Sequence, residues 1–225
     1  MQHLFLAIAM FGLLNACGGA KEETRKVEPE PTPVPVEKKA PDGRPVIVAF
    51  GDSLTAGYGL EPGQSYPDYL QKKLDAAGYS YRVVNEGISG DTSSGGVSRV
   101  SGVLGYKPEI VILELGANDG LRGIPVTETR ENLDQILTQL QAAGVQILLA
   151  GITLPRNYGE KYIADFDRIF PELAKKHKVR LLPFLLEGVA LQPKLMQRDA
   201  LHPTAEGSEI VAGNVFSALK PLLKK

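Results

Sequence analysis

Short, continuous apolar runs separated by longer stretches of helical spacing set the plan of this chain. The runs are 46–50, Tyr81–Asn85, Ile110–Leu115, Val145–Ala150 and Val179–Pro183. They are continuous rather than alternating, which predicts strands of a parallel sheet covered on both faces. Between them the apolar spacing shifts to three and four residues. Ser65 is placed to cap a helix through about Ala77, closed by Gly78. Thr127 is placed to cap a long amphipathic helix carrying Leu133, Ile136, Leu137 and Leu140, closed by Gly144. Tyr162 to Lys176 repeats the pattern with Phe166, Ile169, Phe170 and Leu173. Thr204 caps a last helix with Ile210, Val211, Val215, Phe216 and Leu219. Alternation of this kind predicts one doubly wound α/β domain over 45–225, with no internal repeat and no second domain.

The first 44 residues do not share that pattern. Leu4 to Leu14 form an apolar run of signal-sequence length, too short to span a bilayer comfortably. It ends in Leu14-Asn15-Ala16-Cys17-Gly18-Gly19, which resembles a bacterial lipoprotein signal. That resemblance implies cleavage before Cys17, lipidation of its thiol and anchoring on the periplasmic side of a bacterial envelope. Without the lipid, the segment is an ordinary cleaved signal and the protein is secreted to the periplasm. Residues 18–44 carry prolines at 29, 31, 33, 35 and 41 among Lys and Glu, a composition that cannot bury enough surface to fold and reads as an extended tether.

Bulk composition narrows the partners. With 25 basic and 26 acidic side chains, the overall field gathers neither nucleic acid nor acidic lipid, so any membrane contact runs through the N-terminal lipid alone. Cys17 is the single cysteine, which leaves no internal disulfide. There is no zinc-like Cys/His cluster, phosphate loop or dinucleotide fingerprint, so no metal and no cofactor is expected. The expected assembly is a monomer.

Ligands of doubly wound sheets collect beyond the carboxyl ends of the strands. Four polar loops fall there: Gly51-Asp52-Ser53, Gly87 to Thr92, Gly116 to Gly120, and Asp199-Ala200-Leu201-His202-Pro203 before the closing helix. A serine hydroxyl needs a base to remove its proton. Of three histidines, His3 leaves with the signal and His177 sits at a helix end among lysines, so His202 is the candidate base. Asp199, three residues earlier, is placed to orient its ring. Ser53, Asp199 and His202 are therefore the expected catalytic set. The Asn118 side chain and the backbone N–H groups of Gly90 and Ser53 are candidate oxyanion donors. Asn118 and Gly90 taken singly read as turn residues. Asp52, Asp91 and Asp119 read as structural, each bonding a nearby turn or helix start. Position 55 is threonine, so the serine is not on a Gly-x-Ser-x-Gly elbow.

Ser53, Gly90, Asn118 and His202 stand in the order and loop contexts of the SGNH hydrolases, also called the GDSL family, and 46–224 resembles that family throughout. The likeness includes Ile88 to Ser93, Leu115 to Gly123, Leu154-Pro155-Arg156-Asn157-Tyr158-Gly159 and Asp199 to Pro203. It is strongest toward the bacterial thioesterases, lysophospholipases and arylesterases of the family. The resemblance implies a three-layer α/β/α, flavodoxin-like fold on a five-stranded, mostly parallel sheet. It implies a Ser53 nucleophile, a His202 base and oxyanion donors from Gly90 and Asn118. Ala117 and Ala200 stand where glycines are common in the family.

The expected activity is hydrolysis of carboxylic esters or thioesters through an acyl-Ser53 intermediate, on lysophospholipids, aryl esters or short and medium acyl esters. Leu121, Ile124, Pro155, Asn157 and Tyr158 are candidate groove residues. Two other readings are a carbohydrate O-acetyl esterase and a non-catalytic envelope lipoprotein that binds glycan or lipid.

Overall fold

The computed structural model describes residues 42–225, and the signal, Cys17 and most of the Pro-rich stretch lie outside the described residues. Among the described residues, contacts already involve Asp42 and Arg44, ahead of the expected boundary at 45. Arg44 pairs with Asp42, and its guanidinium donates to the Tyr81 carbonyl at 3.3 Å.

Five strands form one parallel sheet in the order β2-β1-β3-β4-β5. They are β1 (Val46–Gly51), β2 (Arg82–Gly87), β3 (Ile110–Glu114), β4 (Gln146–Ala150) and β5 (Arg180–Leu182). Every neighbouring pair is parallel. The continuous apolar runs mark the central strands well, since β1 and β3 are wholly buried. The edge strand β2 departs from that rule. It runs Arg82-Val83-Val84-Asn85-Glu86-Gly87, is only half-buried, and sits two residues further along at its end than its apolar run. An edge strand lacks a neighbour on one side, so polar residues survive there.

The helices are α1 (Ser53–Ala56), α2 (Tyr66–Ala76), α3 (Ser93–Leu104), α4 (Ala117–Leu121), α5 (Val126–Ala142), α6 (Glu160–Asp167), α7 (Ile169–His177) and α8 (Ala205–Leu219). The α2 and α8 helices pack together over one face of the sheet, and α3, α5 and α7 over the other. The result is a three-layer sandwich. Ser65 and Thr204 cap as expected, Ser65 in a reciprocal capping box with Asp68.

Three helix readings are corrected. The long helix starts at Val126 from Pro125 (φ −53°, ψ 130°), not from a Thr127 cap, because the proline ring already fixes the extended entry. The stretch from Tyr162 to Lys176 breaks at Arg168 into α6 and α7. Pro171 has no N–H to return to the carbonyl four residues earlier. Finally, α3 fills the interval between β2 and β3 where apolar spacing marked no helix. Its Gly95, Gly96 and Gly102 weaken the signal, and Gly96 exists for close packing: a Cβ there would press on Leu115 and Ile136.

Candidate active site

β1 and β3 lie side by side, while the chain leaves them toward opposite ends of the sheet. Such a reversal opens a crevice at the strands' carboxyl ends. Ser53 follows β1 and opens α1, Asn118 follows β3 on α4, and Gly90 lies in the turn between β2 and α3. All three line one cavity of about 870 Å³ together with Asp199 and His202.

The loop that carries Asp199 and His202 is pinned at several points. Met196 bridges Pro203, the Gln197 N–H donates to the His202 carbonyl at 2.8 Å, and the Gln197 side chain donates to the Tyr58 and Pro203 carbonyls. Within the loop, Asp199 Oδ1 accepts the N–H groups of Leu201 and His202 at 2.9 and 3.0 Å. Its Oδ2 lies 2.7 Å from His202 Nδ1, and His202 Nε2 lies 2.9 Å from Ser53 Oγ.

A carboxylate can only accept, so Nδ1 carries the ring hydrogen and Nε2 is bare toward the Ser53 hydroxyl. That is the arrangement by which an imidazole removes a hydroxyl proton. Burial works to raise the Asp199 pKa, but the His202 ring and the two backbone donors outweigh it, and the carboxyl sits below its ordinary value. A charged Asp199 suits an imidazolium formed beside it. The Tyr58 ring covers the His202 ring at 4.6 Å between centroids.

The Asn118 amide donates to the Asp91 carbonyl at 2.9 Å and to Asp52 Oδ2 at 3.1 Å. Gly90 turns the loop with φ +82°, a conformation that favours glycine, and Arg122 donates to its carbonyl at 2.8 Å. As the first helical residue, Ser53 has an N–H for which its own helix has no acceptor. The three aspartates read as structural do bond local turns and helix starts. Asp52 caps α1 by accepting from the Leu54 N–H. Buried Asp119 holds the Ser93 N–H and hydroxyl at the start of α3. Asp91 pairs with Arg99 at 2.6 Å, and Arg99 also donates to the carbonyls of Glu86 and Gly51, tying the ends of β2 and β1 together under the site.

Of the expected groove residues, Leu121 and Pro155 line the cavity, whereas Ile124, Asn157 and Tyr158 do not. Tyr158 turns its hydroxyl to the Leu121 carbonyl, and the Ile124 carbonyl accepts from Tyr162, so both brace the rim instead. Asn157 is exposed. Most of the apolar wall comes from residues that sequence reasoning passed over: Ile152, Leu154, Ile163, Phe184, Leu186 and Met196. Phe184 and Leu186 continue the apolar run past β5, whereas Ile152 and Leu154 follow β4, Ile163 lies on α6 and Met196 stands apart from any run. Among the described residues, no group of three His, Cys, Asp or Glu side chains is disposed to hold a metal ion.

Residues 49–210 match the family model described as the GDSL-like Lipase/Acylhydrolase family. Esterase TesA of Pseudomonas aeruginosa is 44% identical over 178 residues, covering 79% of this chain and 89% of that protein. The thioesterase 1/protease 1/lysophospholipase L1 of Escherichia coli strain K12 is 41% identical over the same length, covering 79% and 84%. The crystal structure of TesA superimposes with a TM-score of 0.77 at 44% identity, over 79% of this chain and 99% of that one. The chain therefore belongs to the GDSL-like lipase/acylhydrolase family, the SGNH hydrolases its sequence resembles.

Proposed function

We propose that this protein is a serine esterase whose nucleophile is Ser53. His202 takes the hydroxyl proton as Ser53 attacks the ester carbonyl, and Asp199 stabilises the imidazolium. The N–H groups of Ser53 and Gly90 receive the oxyanion together with the Asn118 amide, which turns one of its two hydrogens from the Asp91 carbonyl to the oxyanion. The imidazolium gives its proton to the departing alcohol or thiol, which leaves an acyl-Ser53 ester. His202, neutral again, then deprotonates a water that attacks this ester, and its proton returns to Ser53 as the acid is released. The observation that carries this reading is the continuous contact Asp199–His202–Ser53 at 2.7 and 2.9 Å on the floor of an apolar cavity. Relatives named for esterase, thioesterase and lysophospholipase activity support the same chemistry.

The cavity of about 870 Å³, walled by Ile152, Leu154, Phe184 and Met196, has room for far more than an acetyl group. This favours medium acyl chains over the O-acetyl esterase reading, and the assembled Ser–His–Asp contact argues against a purely binding role. A p-nitrophenyl ester series from acetate to dodecanoate, run on the full-length chain beside Ser53→Ala, tests the proposal. Expected is serine-dependent turnover that peaks at medium chains. Turnover confined to acetate would move the substrate to acetylated glycans, and rates equal to those of Ser53→Ala would remove the esterase reading.

The same proposal places the enzyme at a bacterial envelope, held by a lipid on Cys17. No described helix is long and apolar enough to cross a membrane. Cys17→Ala should move the protein from the membrane pellet to the soluble fraction in cell fractionation. An unchanged pellet would overturn the lipid anchor.

A further inference from the structure

Beneath Ser53 lies a pair of carboxyl groups that proton transfer between Ser53 and His202 does not use. Glu114 ends β3 in register with Gly51 and is fully buried. Its Oε2 accepts from the Thr55 hydroxyl at 2.8 Å and from the Asp52 N–H at 3.3 Å, while its buried Oε1 accepts from no donor. A Cβ on Gly51 would fall on Thr55 Oγ1 and Glu114 Oε2, so this glycine is what lets the carboxyl reach under the nucleophile loop.

Asp52 is equally buried, and its carboxyl lies within hydrogen-bond reach of Glu114. Two carboxylates this close and this deep cannot both be charged. Among the described residues neither takes part in an ion pair, so a proton is left to neutralise the pair. Burial, and then the charge of Asp52, hold Glu114 well above its ordinary value, and burial lifts Asp52 to about 6. Both Asp52 oxygens accept from a donor whereas Glu114 Oε1 accepts from none, so Glu114 is the member that keeps the proton and Asp52 the acceptor within its reach. Asp52 in turn accepts from the Leu54 N–H at 3.0 Å and from the Asn118 amide at 3.1 Å.

We propose that Glu114 is a positioning residue: as a neutral acid it donates its O–H to the Asp52 carboxylate, and the Asp52 so held keeps the start of α1 and one Asn118 hydrogen in place while the other Asn118 hydrogen turns from the Asp91 carbonyl to the oxyanion. The inference rests on the roles given to Ser53 and Asn118 above. The groups facing the pair are Thr55 on α1 and Tyr66 on α2, whose hydroxyl lies 3.2 Å from Thr55 Oγ1. The charge of Asp91 acts on Asp52, His202 would do so only as the imidazolium, and Arg99 is committed to Asp91 and to two carbonyls.

The test compares Glu114→Leu and Glu114→Gln in the full-length chain, reading kcat and KM from pH 5 to 10 on a medium-chain p-nitrophenyl ester. Leucine removes the donor, whereas glutamine keeps an N–H donor that does not titrate. Expected is a fall in kcat of about 10- to 100-fold for Leu, as for a misplaced catalytic group, with KM within about twofold. Glutamine should recover most of that loss. The wild-type rate should also decline at alkaline pH as the pair loses its proton, and glutamine should abolish that decline. Equal losses in both folded variants, wild-type kcat in both, or an alkaline decline that survives in Glu114→Gln would each overturn the proposal. If the leucine variant does not fold, the pH profile of the glutamine variant decides alone. Labelling by an alkyl fluorophosphonate separates the two levels of argument. Wild type that is not labelled at Ser53 defeats the serine-esterase reading, whereas labelled Ser53 with an unmoved pH profile defeats only the role of Glu114.

Discussion

Ala200 holds a left-handed backbone at φ +57° in the tight turn between Asp199 and His202. A Cβ in that region is crowded by the following carbonyl, and glycine is not. This gives a physical reason for the glycine common at this position in the family, and it yields a prediction. Ala200→Gly should stabilise the protein by about 0.5–1 kcal/mol, the usual scale of a relieved positive φ set against the extra freedom of unfolded glycine. Urea denaturation checks it, and an unchanged or lower midpoint would show that the turn carries no strain. Single residues were unevenly legible. Ser53, Asp199 and His202 could be proposed as polar loop positions beside predicted elements, whereas Gly90 and Asn118 taken singly read as turn residues and drew their proposed role from the family resemblance. Glu114 could not be picked out, because it reads as one more position of the run 110–115. Its burial depends on the bare Gly51 opposite it, and register across a sheet is not written in either strand alone.

At the level of elements, apolar spacing marked the central strands and α2, α5 and α8, all of which pack through their apolar stripes. It failed where backbone chemistry overrides spacing: Pro125 starts α5, Pro171 divides α6 from α7, and glycines disguise α3. The wall of the cavity was illegible for a different reason. Residues 184–196 have no helical or strand period, and only their docking against β4 and α8 turns their apolar side chains inward. Gly207 shows how closely that docking is set. It sits in the first turn of α8, and a Cβ there would fall on the Leu195 carbonyl oxygen and press on Pro203 and Val189. Gly207→Ala should cost about 1–3 kcal/mol by overpacking. It should also lower kcat, because the displaced segment carries His202. A circular-dichroism melt and an ester assay on the same sample check both effects, and a melting point equal to wild type would sink the argument.

For the whole molecule, the buried Asp52–Glu114 pair sets a direction for stability against pH. Both folded values lie above the unfolded ones. The pair's contribution is therefore fully present below about pH 4, near ordinary carboxyl values. It is lost as pH rises through the folded values, because the unfolded chain ionises first. Glu114→Gln removes one of these titrations. Its stability should gain on wild type as pH climbs above about 4.5, by at most about 1.4 kcal/mol per pH unit. Urea midpoints at pH 4, 5, 6 and 7 measure the difference, and a constant gap between the two proteins would show that Glu114 is charged in the fold.

Ser53 and His202 are joined in one hydrogen bond although 149 positions separate them. The proposed nucleophile leaves the ribosome early and its proposed base arrives with the last segment, just ahead of the helix that closes the fold. On those roles, an unfinished or C-terminally clipped chain carries an inert serine, and the catalytic set is complete only when the tail docks.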